Sequence, residues 1–136
     1  IYRNDELIQE FTLAKRLGQG AQGNVYHVIH ELTNTHYAMK RVCVADMEGM
    51  EVARKEVEHV LQLQHDRIVP VHHLFEHVST NDYGDEQYIL YFTMDLYDYG
   101  DLSALIAEYN LGQRYFTQEQ IFSNLFHISE ALSYVH

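Results

Sequence analysis

Cysteine and proline are nearly absent from this sequence, with 1 Cys and 1 Pro among 136 residues. The lone thiol, Cys43, excludes an internal disulfide and points to a reducing, intracellular setting. So little Pro, with no Ser/Gly-rich stretch, no low-complexity tract and no period of repeats, leaves nothing that reads as an internal linker. Long apolar runs are lacking too. The longest are a few residues, far short of a membrane span, and the opening stretch IYRNDELIQE has no apolar signal-peptide core. Cations are scarce: 9 Lys+Arg stand against 20 Asp+Glu, a formal charge of -11. Phosphate backbones need clustered cations, so this balance argues against a nucleic-acid face. An anionic ligand would need a local site.

What is present suits a single core. The chain is 46% hydrophobic, enough for one domain or a piece of one. It begins with Ile, and its last segment stops in a helical pattern with no Gly, Asn or Pro to end it, so a fragment of a longer protein is expected.

Apolar residues at even spacing, Phe11, Leu13 and Leu17, suit a first strand that enters the glycine-rich stretch LGQGAQGNV. Alternation resumes after it, with Val25, His27 and Ile29 on one face and Tyr26, Val28 and His30 on the other. Beyond the turn-forming ELTNT, a third strand sets Ala38, Lys40, Val42 and Val44 opposite Tyr37, Met39, Arg41 and Cys43. Short connections between three strands predict an antiparallel meander. From about Glu51 to Gln64 the period changes: Val52, Glu56, Val60 and Leu63 mark a helical face that is apolar except for one carboxylate. RIVPVHHLFEH and EQYILYFTMDL then read as two strands around the turn STNDYGDE, with Pro70 confining the first to an edge or a strand start. Asp101 to Tyr109 is a short helix candidate, and Thr117 with Gln120 forms a capping-box pattern ahead of Ile121, Leu125, Ile128, Leu132 and Val135. Sheet and helix first, helices alone afterwards: the order predicts two lobes, the second incomplete.

Three glycines spaced G-x-G-x-x-G fit an ordinary turn, a dinucleotide-binding loop or a phosphate-covering hairpin. In the dinucleotide fold the third glycine opens a helix. Here the residues after Gly23 prefer a strand, which leaves a hairpin whose bare backbone can approach a triphosphate. Lys40 points inward from an apolar strand and needs an anion; Glu56, alone on its apolar helix face, needs a cation. Pairing the two satisfies both, and a lysine so held reaches the phosphates under the hairpin.

With these residues in view, the sequence resembles the eukaryotic protein kinases. GQGAQGNV looks like the family's glycine loop, YAMK like its V-A-I-K strand, and EVEHVLQLQHDRIV like its helix C segment with the following H-x-x-I-V. YFTMDLYDYGDL is similar to the gatekeeper and hinge, and IFSNLFHISEALSYVH to the helix that leads toward the catalytic loop. The resemblance implies an α+β fold: an N-lobe with a five-stranded antiparallel sheet and helix C over about 11–94, a hinge at 95–101, and the start of a helical C-lobe at 102–136. Residues 1–10 form a flank.

It also implies ATP with Mg²⁺ as ligand, and phosphoryl transfer to protein Ser/Thr hydroxyls. By position, Leu17, Gly18, Gln19, Gly20, Ala21, Gln22, Gly23 and Asn24 would form the phosphate cover, with Val25 on the adenine and Ala38 closing its pocket. Lys40 would contact the α- and β-phosphates and Glu56 would hold Lys40. Met94 would be the gatekeeper, the Asp95 carbonyl and Tyr97 backbone would bind the adenine edge, Asp101 would sit near the ribose, and Leu102 would floor the pocket. Val60 and Val71 would join the spine between helix and sheet. Gln22 departs from the aromatic or small residue usual at the loop tip.

The family's catalytic Asp and its Mg²⁺ ligands fall beyond His136, so these 136 residues alone are expected to be inactive. The hinge and ALSYVH are similar to those of the NimA-related serine/threonine kinases. A pseudokinase, a scaffold that binds without transfer, is the alternative reading. Among the remaining features, His72 and His73 alternate along a strand and so point apart, which speaks against a shared metal ion. Cys43 reads as a small packed hydrophobe, and NDYGDE as a solvated loop.

Overall fold

The computed structural model describes residues 10–21, 23–98 and 100–136. The flank before Glu10, and Gln22 at the expected loop tip, lie outside the described residues, as does Tyr99. The chain folds as two compact units, the first running through Leu63 and resuming at Val69–Leu96, the second formed by Gln64–Ile68 and Tyr97–His136.

The first unit carries the sheet. Strands β1 (Phe11–Gly20), β2 (Gly23–His30), β3 (Thr35–Val44), β4 (Val71–Thr80) and β5 (Glu86–Asp95) pair antiparallel in the order β1-β2-β3-β5-β4. The alternation in β2 and β3 becomes two faces. On one, Val28, Met39 and Phe75 are buried with Phe11, Tyr26, Tyr37 and Tyr91 around them. On the other, Leu74 and Leu90 pack against Met50 and Val57 of helix α1 (Met47–Leu61), with Val42, Val71 and Phe92 alongside. Pro70 stands just before β4, the edge strand, where its missing N–H costs no ladder bond, and its carbonyl accepts from Asp95 N at 3.4 Å.

Three expectations change here. Helix α1 starts at Met47 because the Asp46 carboxylate caps it, accepting from Gly49 N at 2.8 Å. Its buried stripe is Met50, Ala53, Val57 and Leu61, not the face through Val52, Glu56, Val60 and Leu63; Val52 is 55% exposed. Arg54 ties that rotation down, forming ion pairs with Glu51, Glu58 (3.3 Å) and, across to β4, Glu76 (3.1 Å). Second, a bulge between Val71 and His73 breaks the alternation, so both imidazoles reach Tyr37, each with its ring centroid 5.4 Å from the phenol ring. His72 Nε2 meets Asp95 Oδ1 at 2.5 Å and His73 Nδ1 meets Thr93 Oγ1 at 2.6 Å. Third, Cys43 is exposed rather than packed, and its Sγ accepts from Arg41 Nη1 at 3.0 Å.

The second unit is helical. Helix α2 (Leu102–Leu111) is capped by the Asp101 carboxylate, which accepts from Ala104 N at 2.8 Å. Helix α3 (Gln118–Val135) opens on the expected capping box, with Thr117 Oγ1 accepting from Gln120 N at 3.1 Å and Gln120 Oε1 from Thr117 N at 2.8 Å. The Gln64–Ile68 segment is tied to α3 by Gln64 N donating to the Tyr134 hydroxyl at 3.0 Å and by Arg67 Nη2 to His127 Nε2 at 3.1 Å. Neither helix has a buried residue, and among the described residues no helix is long and apolar enough to cross a membrane.

Candidate active site

The β1–β2 ladder closes on the glycine stretch, with Gly18 opposite Val25, Gln19 opposite Asn24 and Gly20 opposite Gly23. The glycines differ in what they do. Gly23 has φ +134°, and a Cβ there would overlap the Arg41 carbonyl oxygen, so the fold itself requires glycine. Gly18 and Gly20 are under no such demand: a Cβ at Gly18 would meet nothing within 4 Å, and one at Gly20 only the Gly23 carbonyl oxygen at 3.9 Å. Their bareness keeps backbone accessible instead of relieving a clash. Leu17, Gln19 and Ala21 are exposed. Asn24, which borders the cavity below, bonds the Tyr26 hydroxyl through Nδ2 at 3.3 Å, so its side chain is engaged with β2.

That cavity, of about 550 Å³, is bounded by Gly20 and Gly23 of the hairpin, Lys40 of β3, Ala53 and Glu56 of α1, and Phe92 of β5. The ladder sets Lys40 between Val25 on β2 and Phe92 on β5, half-buried among apolar neighbours. Glu56 is exposed on the flank of α1 beside the buried stripe. The two reach the same cavity, but the expected ion pair is not formed: among the described residues no carboxylate oxygen lies within 4.0 Å of Lys40 Nζ. Glu56 sits beside the stripe that Met50 and Val57 define, and α1 is held by Arg54 instead. A half-buried ammonium without a carboxylate, beneath backbone with no side chains, has the donor set for a polyphosphate.

The other expected positions fall into both units. Ala38 is buried between His27 and Met94 in the ladder, and Met94 and Asp95 end β5 half-buried. Tyr97, Asp101 and Leu102 belong to the second unit; Tyr97 and Leu102 are exposed, and the Asp101 carboxylate caps α2. Ala53 and Phe92 were not picked out from the sequence, although both signals were there. Phe92 continues the inward alternation of Leu90 and Met94, and Ala53 stands one helical turn before Glu56.

A five-stranded antiparallel sheet with one packed helix, a glycine hairpin over an inward lysine, and helices following define the small lobe of the kinase fold with the start of its helical lobe. The family model described as Protein kinase domain matches residues 11–136, and the chain belongs to that family. It is 27% identical over 132 residues to a "Cyclin-dependent kinase 12" of Caenorhabditis elegans, covering 95% of this chain and 18% of that protein. It is 30% identical over 140 residues to an "Aurora kinase" of Yarrowia lipolytica (99% and 33%) and 25% identical over 132 residues to a mouse "Serine/threonine-protein kinase 33" (95% and 24%). The chain thus spans between 18% and 33% of the length of these relatives.

Proposed function

We propose that this chain is the nucleotide-phosphate-holding part of a serine/threonine kinase, which transfers the γ-phosphoryl group of ATP to protein hydroxyls. The single observation that carries this reading is Lys40, half-buried, with no carboxylate among the described residues within 4.0 Å, in a cavity bordered by the glycine backbone of Gly20 and Gly23. When bound, ATP would supply the phosphoryl group and its Mg²⁺ would offset the charge that develops during transfer. The residues of this chain hold and orient: hairpin N–H groups and Lys40 take the phosphate oxygens, Val25 and Ala38 pack on the base, and the Asp95 carbonyl accepts from the adenine edge. Glu56 moves to Lys40 when α1 turns toward the cavity, fixing the ammonium on its target. No Mg²⁺ ligand is assigned among these residues, and the 136 residues alone are inactive in this reading. The serine/threonine assignment is supported by the likeness to relatives such as the mouse serine/threonine-protein kinase 33.

The test is binding of a fluorescent ATP analogue with Mg²⁺ to the full-length protein and to its Lys40→Met variant. Loss of a charge-assisted contact of about 1.5–3 kcal/mol weakens binding about 10- to 100-fold. Unchanged affinity removes Lys40 from the site and the reading with it. A second reading, a module that binds nucleotide without transfer, is favoured by the separation of Glu56 from Lys40. Wild-type binding with no Lys40-dependent phosphorylation of a mixed Ser/Thr peptide pool selects it.

A further inference from the structure

The sheet face turned away from α1 has an unusual composition, and of the side chains that mark it Arg41 also borders the phosphate cavity. An antiparallel sheet face open to solvent is ordinarily polar. Here Leu13, Tyr26, Val28, Met39 and Tyr91, from four strands, bound a hollow of about 290 Å³, with Val28 and Met39 buried at its floor and Leu13 at its rim 60% exposed. The volume admits one large side chain.

At the hairpin end of this face the character changes from apolar to cationic. Arg41 borders the hollow, and Arg16 lies opposite Tyr26 in the ladder and so shares its face. Arg54, Lys55 and Arg114 each have a carboxylate within 4.0 Å. Among the described residues Arg16 and Arg41 have none, as is also true of Lys15, Lys40 and Arg67, but these two share the face of the hollow; Arg41 donates to Cys43 Sγ at 3.0 Å and lies beside the Tyr91 phenol, whose hydrogen bond favours its charged form. Two arginines without carboxylates on the same face as an apolar hollow form a local cationic rim that complements an acidic, apolar partner.

We propose that this face docks a short acidic peptide segment of another protein, seating one large apolar side chain in the hollow and setting flanking carboxylates on Arg16 and Arg41. The spacing of the cations selects a peptide over a free carboxylic acid. Arg16 on β1 and Arg41 on β3 stand two strands apart, roughly 10 Å at the usual spacing between strands, and one small acid does not bridge both. Carboxylates on either side of an anchoring residue do, and each gains the forked geometry that guanidinium offers.

The experiment is fluorescence anisotropy with the full-length protein and a fluorescein-labelled peptide, Glu-Glu-Phe-Glu-Glu-amide, beside its twin with Gln in place of every Glu. The acidic peptide is expected to bind saturably and the twin about tenfold more weakly or worse. Arg16→Gln with Arg41→Gln reduces binding of the acidic peptide by a similar factor. Leu13→Asp, at an exposed position that folding tolerates, reduces it independently, and a thermal melt confirms both variants are folded. Failure of the acidic peptide to bind, equal binding of the twin, or wild-type binding by both variants overturns the proposal. So does displacement of the peptide by decanoate at matching affinity, which assigns the hollow to a free acid.

Discussion

Helices α1 and α3 are both amphipathic, both capped by a side-chain oxygen, and of comparable length at 15 and 18 residues. Only α1 buries anything: Met50 and Val57 lie against Leu74 and Leu90 of the sheet, whereas α3 has no buried residue and leaves Ile121, Leu125, Ile128 and Leu132 exposed. The difference separates two causes that usually act together. Caps and periodicity are local and are complete in both helices. Burial needs a surface of the right shape, which within this chain the sheet provides to α1.

The sharpest way to break the comparison is to remove apolar atoms from each side of it. Leu74→Ala, at a position 1% exposed, is expected to cost about 2–5 kcal/mol in urea unfolding of the 136-residue chain. Leu125→Ala, at 54% exposed, is expected to change stability by less than about 0.5 kcal/mol. Equal losses would mean that α3 is packed as well as α1, and the contrast would fall.

The same contrast explains what the sequence made legible. Alternation in β2 and β3 placed Lys40 and Met39 on opposite faces correctly, because a pleated strand has a single period and each side chain has one alternative. The helix offered more choices. Met50, Ala53, Val57, Leu61 and Val52, Glu56, Val60, Leu63 both have helical spacing, and the sheet surface at Leu74 and Leu90, remote in sequence, decides which one is buried. The Lys40–Glu56 pairing inferred from that face is missing for the same reason. His72 and His73 escaped the strand rule because a bulge has no clear sequence signature, and Cys43 because facing away from Lys40 did not mean being covered. Cap chemistry, being local, was readable at Thr117, whose capping box forms as expected, whereas the carboxylate of Asp101, expected near the ribose, caps α2 instead.

The caps themselves sharpen the comparison at about 1 kcal/mol. Asp46→Ala removes the acceptor for Gly49 N, and because α1 is packed, the loss should appear in global stability, measured by urea unfolding. Thr117→Ala breaks half of the capping box of α3, which lacks buried residues to hold it. Its loss should appear locally, as faster amide hydrogen exchange over the first turn of α3 with little change in global unfolding. A global loss from Thr117→Ala matching that from Asp46→Ala would show the two helices to be equally coupled to their surroundings.

The smallest effect expected is one of pH, and it is confined to the first unit. His73 is partly buried between Phe11 and Phe75, and burial, followed by the nearby His72 and His30 imidazoles, holds its pKa below the usual value of 6.5. Among the described residues, Thr93 bonds its Nδ1, His72 leans on Asp95, and His30 is bound to Glu10 at 3.3 Å. A histidine whose folded pKa is depressed binds fewer protons folded than unfolded at mildly acidic pH. Its contribution is therefore fully present above 6.5 and is lost as pH falls toward the lower folded value. The melting temperature of the wild-type chain should decline as pH drops from 7 to 5, and His73→Gln, which keeps a hydrogen-bonding group for Thr93 but does not titrate, should flatten that decline. An unaltered slope in the variant would place the proton uptake elsewhere, while a steeper one would mean that His73 is charged in the fold and held by the carboxylates of Asp95 and Glu10.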